Sequence, residues 1–598
     1  MDPKLARLAL PNEPFFKVFL QHVKDSPNRP IFHDSKLNID ADYTQFLQDV
    51  HATQIVLQSA KSTGCRDCPY VFLLNTCNYE FAVAAFAILA TGRAVVPLAP
   101  AIMPEEAVHL MRMCRSTTLL MGSITSERGS EIMAHSATEG YLVGALPICT
   151  KSNQPVESLI DDNWDIEPSS PGMIVFTSGT SGPPKAVVHG RRLFYVTYEP
   201  DTGRVSLLSG PPQWVGGSLR IILHTFYGYC MHIVPADPEI MWERLRQGGI
   251  TFMANPPMMW GRLRDYFQQN LDQRPSSERD QYLRGMQNLR VANVSGSALP
   301  EPLGRFWRKM GRPLTISYGA TELGRICLRT SKDSDPDLKR YIGRPVPGVS
   351  VRLSDGDHGE IEIKNPTIFS EYLNDPVATR RAFTVDGFYR TGDCGHKVGD
   401  DYFFDGRASS DFIKFRGYRV PVIELETRLN EVPAVIEAYV VPIPDENYGY
   451  RVGALIHFDI KKADDVLDMQ YIRSQLSDRV PMFMMPTALR VLAPGDSVPR
   501  TVSGKLIRKS AAEKYFLRTH GPGLADDVEV WTLKAEELQA RKAWDWGGTP
   551  MTEYISQQIV IDDIELRSDA SHPHRYFTPD LDLDRGNMHA WAIVHMHY

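Results

Sequence analysis

Short apolar runs recur through the first four hundred positions, and each is followed by a turn or by a longer stretch with helical periodicity. VFLL (71–74), AVVPL (94–98), MIVF (173–176) and CMHIV (230–234) are the clearest. The alternation predicts strands interleaved with helices, and hence a large mixed α/β domain. The longest apolar stretch, FAVAAFAILATGRAVVPLAP from Phe81, is broken by Gly92, Arg93 and Pro97. It reads as a buried helix followed by a strand, too interrupted to span a membrane. From Val349 to Lys364 the pattern changes to strict alternation around a turn, which predicts a small antiparallel hairpin.

At 598 residues the chain exceeds the roughly 250–300 at which a single core stops growing, so more than one domain is expected. A second α/β unit is read from about Asp411 to Lys514, around IELETRLNEVPAVIEAYVV and a connection at 481–486. The last 83 residues, from Phe516, carry the Pro, Gly, His and Asp of a loose tail, yet Trp531, Trp544, Trp546 and Trp591 argue against disorder throughout. The histidines there, His572, His574, His589, His595 and His597, match no metal-site spacing and read as solvated.

A formal charge of −7 gives no global attraction to nucleic acid or to an acidic membrane, so a DNA or RNA role is not expected and an anionic ligand must be held locally. MDPKLARLALPNEP lacks the apolar core of a signal peptide, and a cytoplasmic chain is expected. Eight cysteines are too sparse for a disulfide scaffold; Cys65 and Cys68 form a lone CxxC without a second pair and read as reduced thiols.

Residues 174–189, IVFTSGTSGPPKAVVH, set a polar loop between two apolar runs. Thr177, Ser178, Gly179, Thr180, Ser181 and Gly182 can aim hydroxyls and unobstructed backbone N–H groups at one anion, and Lys185 adds a point charge. A phosphate cradle between strands 173–176 and 186–189 is the natural reading; a flexible surface turn is the plain alternative. The loop is not a Walker A motif, because Pro183 and Pro184 precede the lysine and Ala186 follows it.

Five motifs in order resolve the choice. FTSGTSGPPKAVVH, ISYGATELG (316–324), FYRTGD (388–393), GRASSDFIKFRGYRVPVIELE (406–426) and PRTVSGKLIRK (499–509) resemble the signature set of the adenylate-forming superfamily of acyl-CoA synthetases, luciferases and nonribosomal peptide adenylation domains. The resemblance covers roughly residues 14–515. It implies an N-terminal adenylation domain over 1–405, built of several subdomains with mixed sheets. A small mobile α+β C-terminal domain follows over 406–515, then an extension of unknown role over 516–598.

The implied reaction is ATP-dependent joining of a carboxylic acid to a thiol through an acyl-adenylate, with magnesium and coenzyme A (CoA) as the other participants. Positioning and charge neutralisation lower both barriers, so no protein nucleophile is required. By resemblance, 177–185 holds the β- and γ-phosphates, Glu322 is the magnesium carboxylate, Thr321 lies beside the α-phosphate and Tyr318 stacks on adenine within Tyr318-Gly319-Ala320. VSGSALP (294–300) resembles the adenine-side loop and places Gly296, Ser297 and Ala298 near the base. Asp393 accepts the ribose hydroxyls, with Arg407 as its ribose or phosphate partner. Lys505 resembles the lysine that bridges the attacking carboxylate and the α-phosphate. The small domain rotates between half-reactions, and Gly417 lines the pantetheine path.

Three departures qualify the match. GRASSDFIK has one residue more than the usual hinge spacing, leaving Ser410 or Asp411 as hinge, with Asp411 favoured. The acid-side segment PPQWVGG (211–217) places Trp214 where many relatives carry histidine, beside Gly216 and Gly217; a reshaped acid pocket and a packed core tryptophan are both open. PPQWVGGSLRIIL has no aspartate to pair with an amino acid's ammonium group, so a fatty or aryl acid is expected, in a pathway of specialised metabolism. No phosphopantetheine site is recognisable in the tail, and the acceptor thiol comes from outside, as CoA or a separate carrier protein. A non-catalytic homologue is the rival from another class, and retention of Lys185, Glu322, Asp393, Arg407 and Lys505 counts against it.

Overall fold

Helix Tyr79–Ala90, YEFAVAAFAILA, is the centre of the large domain and is buried along its whole length. A helix apolar on every face must be enclosed by protein, and this one is. The Asn78 side chain caps it by accepting from the Phe81 N–H, and Gly92, with φ +76°, lets the chain turn directly after it. The structure is a computed structural model that describes residues 5–59, 68–177, 185–195, 203–331, 340–407, 412–415, 418–445, 449–459, 467–477, 479–480, 482–493, 495–500, 506–518, 523–531, 545–546 and 549–550.

Around that helix one core joins two sheets. Val71, Leu73, Val95 and Met173 enter it from a seven-stranded sheet; Phe32, Leu208, Met231 and Ile233 enter from a thirteen-stranded one. Helices Pro14–Asp25 and Val215–Phe226 complete it, with Phe15, Phe16, Phe19, Phe86 and Phe226 packed ring against ring. In the seven-stranded sheet, parallel strands Tyr70–Leu74 and Ala94–Leu98 lead to the antiparallel pair Pro171–Phe176 and Ala186–Gly190. That pair is the strand–loop–strand unit expected around the polar loop.

The larger sheet has a parallel centre, in which Val205–Leu208, Phe252–Asn255, Val291–Ser295 and Thr315–Tyr318 are neighbours. One edge is an early hairpin, Pro30–Asp34 and Ile39–Asp42, whose first strand pairs in parallel with Cys230–Ile233. Toward the other edge lies the expected hairpin Ser350–Asp355 and His358–Lys364, paired onward to Tyr389–Val398 and Asp401–Arg407.

The small unit is built on the antiparallel pair Val435–Asp445 and Gly449–Phe458, with helices Val422–Asn430 and Met469–Leu476 contributing Leu425, Leu429, Ile472 and Leu476 to its core. Packing continues beyond 515. Phe516, Leu517, Leu524 and Val528 join a core cluster with Ala511 and Tyr515, strand Glu529–Val530 pairs with Ala488–Val491, and the Arg473 guanidinium lies 4.3 Å from the Trp531 ring centroid. The described residues at 516–518 and 523–531 thus pack on the small unit through these apolar side chains and that strand pairing. Among the described residues no helix is long and apolar enough to cross a membrane.

Burial makes several histidines of the large domain acid-sensitive, among them His189, His224 and His232, the last pulled down to about 3 by burial and by Arg244. His189 is pulled down to about 4 by burial, and burial with Arg220 and Arg204 nearby holds His224 well below its ordinary value. The unfolded chain therefore takes up protons that the native state refuses as pH falls below about 6.5, and each histidine removes about 1.4 kcal/mol per pH unit. Between pH 6.5 and 5 the thermal midpoint is expected to fall, and His189→Gln to flatten that slope, read by melting at fixed ionic strength. Asp34 and Asp49, whose carboxyls burial raises, act in the opposite sense, because the native state takes up their protons before the unfolded chain does.

Candidate active site

The C-terminal ends of the parallel strands open into one cleft of about 2840 Å³. Ligands of open α/β sheets bind at such strand ends. Gly296 and Ser297 follow strand Val291–Ser295, Gly319 to Glu322 follow Thr315–Tyr318, and Trp214, Gly216 and Gly217 follow Val205–Leu208; all line the cleft. Gly296 sits at φ +91°, a conformation that disfavours any side chain. At Gly217 a Cβ would lie 1.9 Å from the Pro211 carbonyl oxygen, so only glycine lets the loop close on the helix start.

Thr177 and Lys185 enter the same cleft from the other sheet, at the two ends of the polar loop. The Thr177 N–H donates to the Lys185 carbonyl (3.0 Å) and the Lys185 N–H to the Thr177 Oγ1 (3.2 Å), which zips the loop's base. Ser178, Gly179, Thr180, Ser181 and Gly182 lie outside the described residues, as do Asp411, Gly417 and Lys505. The Lys185 Nζ stands 4.7 Å from the ring centroid of Tyr372, and the Tyr372 hydroxyl donates to the Glu322 Oε1 at 2.9 Å. One tyrosine therefore joins the loop lysine to the candidate metal carboxylate. Burial and the Glu322 charge push the Tyr372 phenol up, so it remains a donor.

Thr321 and Glu322 form a short 3-10 turn closed by Gly324 at φ +66°. Behind it, His189 donates from Nε2 to the Thr321 carbonyl at 2.8 Å, and the Phe369 N–H donates to the Glu322 carbonyl at 2.8 Å. Asp393, nearly buried at 6% exposure, also lines the cleft; its Oδ2 accepts from the Tyr318 hydroxyl at 2.7 Å. Tyr318 stands behind the lining, packed against the cluster that contains Leu323 and Cys327, and Ala298 is likewise outside it. Arg407 is the Cα partner of Asp393 in the register of the two strands, which brings those motifs side by side. Arg500, five positions before Lys505, lines the cleft as well and lies 5.2 Å from the Tyr439 ring centroid.

Sequence reasoning missed Tyr372 and His189, whose roles depend on pairings across the fold. It also passed over the cations of the acid side. Trp214 is half-buried in the cleft lining at the cap of helix Val215–Phe226, while Arg220, His224, Arg204 and Asn255 line the lobe beyond it. Arg220 and His224 follow Gly217 at three- and four-residue steps, the spacing of one helix face, and that signal was readable. The lining is thus not the purely apolar one that a fatty or aryl acid calls for.

Two sheets around a buried helix, with carboxylates, a lysine and glycine turns gathered at the strand ends, form the cleft of a large α/β enzyme fold. The comparisons specify which. The AMP-binding enzyme family matches residues 19–373 and the AMP-binding enzyme C-terminal domain matches 424–505; the chain belongs to this family, within the adenylate-forming superfamily. It is 33% identical to the acyl-CoA ligase oryP of Aspergillus oryzae over 539 residues, covering 88% of this chain and 97% of that one. It is 28% identical to the malonate–CoA ligase of Arabidopsis thaliana, over 72% and 75% of the two chains. ATP-bound MatB from Rhodopseudomonas palustris shares the fold, with a TM-score of 0.69 at 21% identity over 83% of this chain and 99% of that one.

Proposed function

We propose that the protein joins a carboxylic acid to CoA in two displacements at this cleft. In the first, a carboxylate oxygen of the acid attacks the α-phosphorus of ATP and pyrophosphate departs. In the second, the thiol sulfur attacks the acyl carbon, AMP departs and the thiol proton is released. The observation that carries the reading is the convergence of Lys185, Thr321, Glu322 and Asp393 in one cleft with the acid-side loop 211–217. The family match and the ligases among its relatives support the same reaction.

Each residue has a role that its position allows. Lys185 and the loop it closes hold the outer phosphates, Asp393 orients the ribose while Tyr318 fixes the carboxylate, and the turn at Thr321 presents its oxygens to the α-phosphate. Lys505, to which the motif resemblance gives this part, neutralises charge on the attacking oxygens. The Glu322 carboxylate and its neighbouring oxygens suit a hard divalent cation such as magnesium, which would neutralise charge on the phosphates. Domain boundaries near 405 and 515, a hinge at Asp411 and a pantetheine path at Gly417 belong to the same reading, with the small domain turning between the two displacements.

The test is AMP and pyrophosphate formation from ATP across a panel of acids, with and without CoA. Continuous turnover that requires both an acid and CoA is expected. Release that stops after about one turnover and resumes with a phosphopantetheinyl carrier protein would replace CoA with a carrier as acceptor. Absence of acid-dependent pyrophosphate, despite ATP binding, would overturn the ligase reading in favour of a non-catalytic homologue.

A further inference from the structure

The acid lobe of the cleft lies between helix Val215–Phe226 and strands Val205–Leu208 and Phe252–Asn255. Its mouth is at Gly216 and Gly217. With a helical rise of 1.5 Å per residue, Arg220 lies roughly 5 Å and His224 roughly 10 Å further along the same face. Across from them, Arg220 Nη1 donates to the Ala254 carbonyl at 2.7 Å, so its guanidinium spans the lobe from helix to strand. Arg204, at the start of its strand, places its guanidinium 4.6 Å from the Tyr229 ring centroid and 5.1 Å from that of Phe252. The flat faces of two aromatic rings hold this cation at the lobe's inner end.

Two further polar groups line the same lobe, each more than nine-tenths buried. Asn255 is 5% exposed and its Nδ2 donor has no hydrogen-bond partner among the described residues; His224 is 6% exposed and its Nδ1 is likewise without one. A buried donor left unpaired costs roughly 1–3 kcal/mol, and an apolar chain filling the lobe would leave that cost in place. Among the described lining residues between 204 and 295 there is no carboxylate. Burial first, and the nearby Arg220 and Arg204 charges second, hold His224 well below its ordinary value, so its ring offers the lobe a neutral polar edge.

From this arrangement we infer that the acid carries a second anionic group, a carboxylate, which Arg220 binds with Asn255 beside it and Arg204 behind. The substrate class is then a dicarboxylic or more highly carboxylated acid. One carboxylate reacts at the mouth and the other enters the lobe. The inference rests on the ligase reading and adds a specificity rule to it: Arg220 selects by charge, and the unreactive carboxylate stays ionised throughout. A monoacid of equal length forfeits that contact and leaves the Asn255 amide unpaired. Discrimination by loss of a hydrogen-bonded charge partner exceeds what one methylene can supply.

The experiment compares linear dicarboxylic acids of increasing length with their half methyl esters and with monoacids of equal chain length, by CoA-dependent AMP formation. It is run on the full chain and on Arg220→Gln and Arg204→Gln. Diacids are expected to exceed their half-esters in kcat/KM by about 30-fold or more, as for a buried charge pair losing one partner. Arg220→Gln collapses that ratio toward one, and Arg204→Gln reduces it. The ratio, measured within each variant, is insensitive to a merely structural loss, and the wild-type panel decides the matter even where a variant fails to fold. Monoacids or half-esters turning over as well as diacids would overturn the inference while leaving the ligase standing, as would a ratio unmoved by Arg220→Gln. No AMP from any acid would overturn the ligase reading and this rule with it.

Discussion

Replacing Arg191 with methionine is expected to cost the large domain about 3–5 kcal/mol of stability, the penalty for stranding one member of a buried ion pair. Arg191 and Glu13 are both fully buried. The guanidinium donates from Nε to Glu13 Oε1 at 2.7 Å and from Nη2 to Glu13 Oε2, and Nη2 also reaches the Leu89 carbonyl at 3.0 Å. The Tyr195 hydroxyl donates to the same carboxylate at 3.1 Å, and burial with that charge pushes the phenol up. Methionine fills much of the space but leaves Glu13 charged in an apolar core. Glu13→Leu alone is expected to be comparably harmful, whereas the double replacement should recover most of the loss, since a neutral, well-packed pair can equal a buried ionic one. Urea melts of the four proteins measure the coupling, and additive losses would show that the pair does not act as a unit.

The second large effect is on chemistry. Glu322→Gln is expected to slow acid-dependent pyrophosphate release by about 10²–10³-fold, the range seen when one preorganised electrostatic partner of a developing charge is removed. The amide keeps the size of the side chain and can still accept from the Tyr372 hydroxyl, so the turn at Thr321 and Leu323 need not move. What it loses is the negative charge that suits a divalent cation. The magnesium dependence of the residual rate should therefore shift to higher concentration. Thiolysis of acyl-adenylate supplied from outside should fall far less, because pyrophosphate has already left. Tyr372→Phe removes only one hydrogen bond to that carboxylate, worth about 1–2 kcal/mol, and is expected to cost roughly five- to thirtyfold. Equal losses in both half-reactions would assign Glu322 a structural role.

Local pattern carried most of the elements into view. Strands 173–176 and 186–189, the hairpin at 349–364 and the buried helix after Phe81 were each legible, because apolar period and turn residues are short-range signals. Of the four tail tryptophans, Trp531 packs against the Arg473 guanidinium. What could not be read was who sits next to whom. Tyr372 reaches Glu322 across fifty positions because strand Glu371–Tyr372 joins the edge of Ala186–Gly190, a pairing no local pattern announces. The Arg191–Glu13 pair spans 178 positions in the same way. Arg220 was a different kind of omission. It lies within PPQWVGGSLRIIL, where the sequence alone leaves it one basic residue on a helix, and its placement opposite Ala254 is what brings it into the cleft lining.

The early hairpin at the edge of the large sheet has a consequence for synthesis. The outer side of its strand Pro30–Asp34 docks on Cys230–Ile233, and the Ser35 hydroxyl that seals the junction meets the Ile233 carbonyl 198 residues later. At roughly 5–20 residues per second a ribosome needs about 10–40 s to make the missing strand, and during that interval the nascent hairpin exposes an unpaired apolar edge. The growing chain is thus most open to misassociation before residue 233 emerges. Slowing translation upstream of that point prolongs the exposure, and fragments ending before it lack the partner that closes the edge.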